Sequence, residues 1–171
     1  MKKGIILTLC SLAILFAACK KPVEPTPEPV DYSASYVGNY IGQFTLSITS
    51  MNNSAVSNMS FPIDSIRMDI AKGVEANAIT ATVTVDNEAY QTSGTASADK
   101  ADFGTVHLVI DKPDQNYLFN LDLQLEGTKT VSDTLNIVGT FSGNGNFTMP
   151  TGELMLLNEV SGTVDGKLKK Q

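Results

Sequence analysis

Side chains alternate with a period of two along most of this chain, and no other feature restricts its fold as much. Tyr40, Phe44, Leu46 and Ile48 are apolar, while Gln43, Thr45, Ser47 and Thr49 among them are polar. An extended strand with this pattern has one dry face and one wet face. The rhythm returns at Ile79, Ala81, Val83 and Val85 between threonines, and at Val106, Leu108 and Ile110. It is clearest at Tyr117, Phe119, Leu121, Leu123 and Leu125, where Asn120, Asp122, Gln124 and Glu126 intervene. Leu135, Ile137 and Phe141 follow, and Val160, Gly162, Val164, Gly166 and Leu168 end the series. Between 59 and 70 the apolar positions change parity, from Met59, Phe61 and Ile63 to Ile66, Met68 and Ile70. One extra residue in a strand has this effect, so a bulge or corner is expected there.

Turn-forming residues separate these segments: Met51 to Asn58, Lys72-Gly73, Asp86-Asn87, Ala98 to Asp102, Asp111 to Asp114, Gly143-Asn144-Gly145 and Pro150-Thr151-Gly152. The spacing predicts an all-β domain of eight or nine antiparallel strands with no helix, either an up-and-down barrel or a β-sandwich. Closure is favoured because it leaves no free edges. A short pattern occurs three times: Gly38-Asn39-Tyr40-Ile41-Gly42, Gly139-Thr140-Phe141-Ser142-Gly143 and Gly162-Thr163-Val164-Asp165-Gly166. Glycines at fixed offsets let strands bend or backbones approach. The first copy opens the domain and the last nearly ends it, so those two strands are expected to pair across the seam.

The N-terminus has a different character. Lys2 and Lys3 precede an apolar run from Gly4 to Ala18, then Cys19. This is the three-part pattern of a secretory signal, and it is shorter than the roughly 20 apolar residues a membrane span needs. Phe16-Ala17-Ala18-Cys19 resembles a lipobox, in which the peptide is cut before the cysteine and its thiol accepts lipid. Prolines at 22, 25, 27 and 29 then bias Lys20 to Val30 toward polyproline II. At about 3.1 Å per residue this makes a spacer on the order of 30 Å. The expected organisation is a signal peptide at 1–18, a lipidated Cys19 with its tether at 19–30, and a barrel domain at 31–171. Cys10 and Cys19 are the two cysteines, so the domain has no disulfide and must rely on its core. Loss of the signal takes two of the 12 basic residues and none of the 18 acidic ones, leaving 10 − 18 = −8. Such a balance disfavours nucleic acid and a broad grip on anionic membranes. The membrane is therefore expected to be a partner through the lipid on Cys19.

Tyr36-Val37-Gly38-Asn39-Tyr40, opening the first long strand, is similar to the Gly-x-Trp opening of calycins, the barrels of lipocalins, fatty-acid-binding proteins and avidins. The layout of lipobox, proline-rich tether and strands with Gly-Thr-aromatic repeats resembles the calycin-like lipoproteins of Bacteroidetes. The resemblance implies an up-and-down barrel and leaves the ligand open. Tyr40 stands where a calycin has tryptophan, the chain contains no tryptophan, and no basic residue is clearly destined to cover Tyr40. By the same resemblance, acidic residues directly after the lipidated cysteine accompany surface export. Lys20 and Lys21 occupy that place here, with Glu24 and Glu28 beyond. This favours an envelope location on the outer membrane facing the periplasm, with surface exposure as the alternative.

Catalytic chemistry finds little support. His107 is the single histidine, whereas triads and most transition-metal sites need a histidine with further ligands. It shares the polar face of its strand and is expected to be a half-exposed surface residue. Asp99 with Asp102, and Asp111 with Asp114 and Asn116, lack calcium-loop spacing and read as turn residues. Asp69, Asp122 and Glu126 fall on polar faces, so no inward carboxylate pair is expected. The chain is thus expected to be no enzyme and to hold no metal or cofactor. What remains is the apolar face, with Tyr40, Phe44, Leu46, Phe119, Leu121 and Leu123 as candidates to line a ligand cavity. An eight-stranded barrel is either filled by its side chains or holds one small ligand. Two functions follow: a barrel binding a small apolar ligand or a peptide, or a filled barrel acting as an envelope interaction module, subunit or inhibitor, through loops such as Ser50 to Asn58.

Overall fold

The computed structural model describes residues 29–171 except 114–115, 131 and 150, and leaves out the side chains of 57 and 58. The signal peptide, Cys19 and the tether up to residue 28 lie outside the described residues. A one-turn helix α1 (Ser33–Tyr36) is followed by eight strands: β1 (Gly38–Met51), β2 (Ser54–Lys72), β3 (Ala78–Val85), β4 (Glu88–Ala96), β5 (Ala101–Lys112), β6 (Tyr117–Lys129), β7 (Thr134–Thr148) and β8 (Leu154–Lys170). They form a closed up-and-down barrel in sequence order. Every neighbouring pair is antiparallel, including the closing pair β1 and β8. The sandwich alternative is thereby set aside, and the fold has the calycin-like layout.

Closure joins the first and third glycine repeats as expected: Gly42 faces Leu168, Phe44 faces Gly166 and Ile48 faces Gly162. The second repeat lies on β7, next to β8, so all three copies occupy adjacent strands. The parity switch is a bulge. Gly42 pairs with Ile66 but Phe44 with Ile63, so β2 carries one more residue than β1, and Ser65 there takes a φ of 59°.

Three expectations are corrected. Met51 to Asn58 is not a loop, since β1 turns into β2 through Asn52 and Asn53 alone, at φ 47° and 63°. Asparagine tolerates the left-handed region, so two residues suffice for a hairpin of the primed type. Gly143-Asn144-Gly145 is not a turn but the interior of β7, where the opposing β8 bulges at Asn158-Glu159. The β1–β2 turn seats on that bulge: Asn52 Oδ1 accepts the Asn158 N–H at 2.9 Å, and the Asn52 N–H donates to Glu159 O at 2.8 Å. Finally, α1 is a helix where none was expected. Four residues are too few to show a 3.6-residue period. It is held by Asp31, whose Oδ1 accepts from the Ser33 N–H (3.0 Å), the Ser33 hydroxyl (2.6 Å) and the Asn77 N–H (3.2 Å), and which pairs with Lys72.

The wall is uneven. β2 pairs with β3 only from Arg67 to Lys72, so its first two-thirds pair on one side alone. β4 and β5 share two ladder pairs, Thr95 with Asp102 and Ala96 with Ala101, and then diverge. Across that seam the Thr92 hydroxyl donates to Phe103 O at 2.5 Å and lies 3.1 Å from Thr105 O, while the Tyr90 hydroxyl lies 3.0 Å from Val109 O.

Candidate functional site

The barrel interior is the first place to look for a ligand. All six proposed lining residues, Tyr40, Phe44, Leu46, Phe119, Leu121 and Leu123, are inward and at most 2 % exposed. They belong to one continuous apolar core. Their packing follows from a pairing of large and small residues across strands, which lets a narrow barrel fill. A Cβ added to Gly166 would lie 2.5 Å from Phe44 Cδ1, and one added to Gly145 would lie 2.5 Å from Phe119 Cδ1. Gly162 likewise receives the Phe141 ring and Gly127 the Phe103 ring, each at 2.7 Å. Between Leu46, Ile48, Phe61, Phe119, Leu121 and Phe141 the volume open to a water molecule is about 0 Å³. The gap these side chains leave is too small for a water molecule.

Both ends are closed by side chains. At one end Tyr36 of α1 is buried, and Tyr40 donates its hydroxyl to Tyr36 O at 2.9 Å. Lys170 covers this corner, with Nζ 6.0 Å from the Tyr40 ring centre and donating to Val37 O at 2.8 Å. The expectation that no basic residue covers Tyr40 is therefore corrected. The register across the closing seam pairs Tyr40 with Lys170, a neighbourhood that separation along the chain conceals. Burial raises the hydroxyl pKa of both Tyr36 and Tyr40, with smaller contributions from the charges of Asp99 and Asp133 respectively. At the other end Phe61, Tyr117 and Phe119 form an aromatic lid with ring centres 5.1 to 5.4 Å apart, a favourable edge-and-tilt arrangement. Burial raises the Tyr117 pKa as well, against a lowering effect of Lys112.

The polar candidates lie on the outer wall. His107 is exposed, with Nδ1 2.7 Å from Asp122 Oδ1 across the β5–β6 pair. Asp102 Oδ1 accepts the Gly104 N–H at 2.8 Å and so stabilises a bulge at positive φ. Glu126 pairs with Lys100 at 2.6 Å. These contacts are local to turns and strand neighbours and bring no nucleophile and base together. Outside the barrel, Leu154 and Leu156 stand at 56 % and 61 % exposure on one face of β8, near the rim opposite α1, and Val138 stands out from β7 at 47 %. An open groove of about 580 Å³ beside Val138 is lined by Asp102, Thr105, Gln124, Glu126 and Thr140, among others. Sequence reasoning did not single out these outward apolar residues, because Leu154 and Leu156 precede the clear alternation of β8. No known family model and no curated protein matches the chain.

Proposed function

We propose that this protein is a lipid-anchored envelope lipoprotein whose barrel is a filled scaffold, acting through its outer wall as a protein–protein interaction module. One observation carries the reading: the apolar gap inside the barrel between Leu46, Ile48, Phe61, Phe119, Leu121 and Phe141 has about 0 Å³ open to water. A carrier of an enclosed apolar ligand needs a chamber of several hundred Å³. The outward Leu154 and Leu156 favour a partner that covers them. The anchor is supported by Phe16-Ala17-Ala18-Cys19 and the proline-rich spacer behind it, and the outer membrane facing the periplasm is the favoured location.

Two measurements test this. Labelled fatty acid should enter the wild-type chain and be absent from a Cys19→Ala variant; equal labelling of both removes the anchor. Native mass spectrometry of the detergent-solubilised lipoprotein should give the bare mass of the lipidated polypeptide. A photo-crosslinking residue at Leu156 should then join it to one envelope protein in intact cells. A co-purified small molecule, or no crosslink at any outward position, sinks the interaction-module reading.

A further inference from the structure

The β4–β5 seam is where the barrel wall is least complete. Beyond Thr95 and Asp102 no ladder pair joins the two strands, yet β5 continues to Lys112 in register with β6. Backbone groups of alternate residues point to the same side of a strand. The carbonyls of Thr105 and Val109 face the hydroxyls of Thr92 and Tyr90 on β4, so His107 and Asp111 also direct their N–H and C=O groups into the seam. Side-chain hydroxyls meet some of these carbonyls. Beyond Thr105, where Thr92 still lies against the strand, no ladder pair on that side engages His107, Val109 or Asp111.

Proteins usually blunt such edges with proline, lysine or a twist-inducing bulge. The free stretch of β2 follows that rule, with Pro62 inside it. The run Thr105 to Asp111 reads Thr-Val-His-Leu-Val-Ile-Asp, with no proline and no lysine. The Gly104 bulge lies just before it, and the Thr92 and Tyr90 hydroxyls cover two of its carbonyls, so the run is a template for a further strand that displaces them.

Charge identifies the strand that would fit. Among the described residues, 74–126 contain eight acidic side chains and two lysines, 2 − 8 = −6. The rest of the described chain holds seven acidic and six basic ones, 6 − 7 = −1. Both lysines near the seam are already in ion pairs, Lys100 with Glu126 and Lys112 with Asp86. Asp102 and Asp111 bracket the free edge, and Glu88 begins the facing strand.

We infer that the β5 edge facing β4 is a strand-addition site for an extended basic segment of a partner protein. This rests on the interaction-module reading and names its site. The added strand displaces the Tyr90 hydroxyl from Val109 O and takes main-chain hydrogen bonds from His107, Val109 and Asp111, and its basic side chains meet the acidic flank, a division of labour known from β-augmentation.

The probe is the capped octapeptide Lys-Val-Lys-Thr-Lys-Val-Lys-Thr, titrated onto the solubilised lipoprotein, with the same peptide carrying Glu for Lys as its counterpart. The lysine peptide should bind at least about tenfold tighter than the glutamate one and weaken as salt rises. Amide exchange at His107, Val109 and Asp111 should slow when it binds. His107→Pro removes a seam N–H without costing β6 a ladder bond and should weaken binding about tenfold or more. His107→Thr, which keeps the N–H, should bind like the wild type. If His107→Pro fails to fold by circular dichroism, the pair Glu88→Lys with Asp111→Lys provides the second reading and should weaken the lysine peptide by a similar factor. Equal affinity for the two peptides, no binding, or binding untouched in the folded variants overturns the site. Failure here with crosslinking at Leu156 retained removes the seam alone; loss of both removes the interaction module as well.

Discussion

A methyl group added at Gly166 would lie 2.5 Å from Phe44 Cδ1, inside the distance at which carbon atoms begin to repel. The phenylalanine ring fills the space that the absent side chain leaves, and Phe119 uses Gly145 in the same way. Gly166→Ala should therefore lower the unfolding free energy by about 1–3 kcal/mol, the usual cost of overpacking, read from urea midpoints at unchanged slope. Adding Phe44→Leu should recover part of that loss, because the two residues share one space and their effects do not add. Strict additivity would show that the ring and the glycine are independent. The glycine repeats were visible in the sequence as a pattern with one partnership, that of the first and last strands. Which ring sits over which glycine was not visible, because it depends on register. The same holds for Lys170 over Tyr40.

At the level of strands and turns, alternation identified most of the β segments, and the parity switch located the β2 bulge at Asp64-Ser65. Alternation did not settle where polar residues belong to a strand. Ser54, Ala55 and Asn144 are polar or small, which reads as loop, yet Ser54 and Ala55 pair with β1 and Asn144 pairs with Asn120 of β6, which extends the strands through them. The β1–β2 hairpin instead depends on two asparagines at positive φ. Asn53→Gly should leave the melting temperature nearly unchanged, since glycine enters this region freely. Asn53→Val should cost about 1–3 kcal/mol, as a branched side chain there is strained. Thermal melts that rank valine equal to glycine would contradict the primed turn.

For the whole molecule, pH probes whether the barrel ends are held as described. The Lys72 ammonium, followed by the Ser33 hydroxyl and N–H, holds the Asp31 carboxyl well below the usual carboxylate range. A depressed acid binds fewer protons when folded, so its stabilisation is complete above its unfolded pKa, near 3.9, and fades as pH falls below that. Burial moves Tyr36, Tyr40 and Tyr117 the other way. Their stabilisation is complete below about pH 10 and fades as pH rises further. Urea melts across pH should give a plateau between these limits, with an acid limb that Asp31→Asn makes shallower. Phenolate absorbance from these three should develop only together with alkaline unfolding; free ionisation near pH 10 in the folded protein would count against both closed ends.

The closing of the barrel also decides how the molecule meets a pull. The chain enters at α1, and β1 runs between β2 on one side and β8 on the other for nearly its full length, with the Gln171 N–H on Asn39 O at 2.9 Å. Tension arriving along the N-terminal segment thus acts parallel to a strand gripped on both flanks. Its hydrogen bonds must slide and fail together instead of unzipping singly, a shear geometry that would serve the lipid anchor proposed at Cys19.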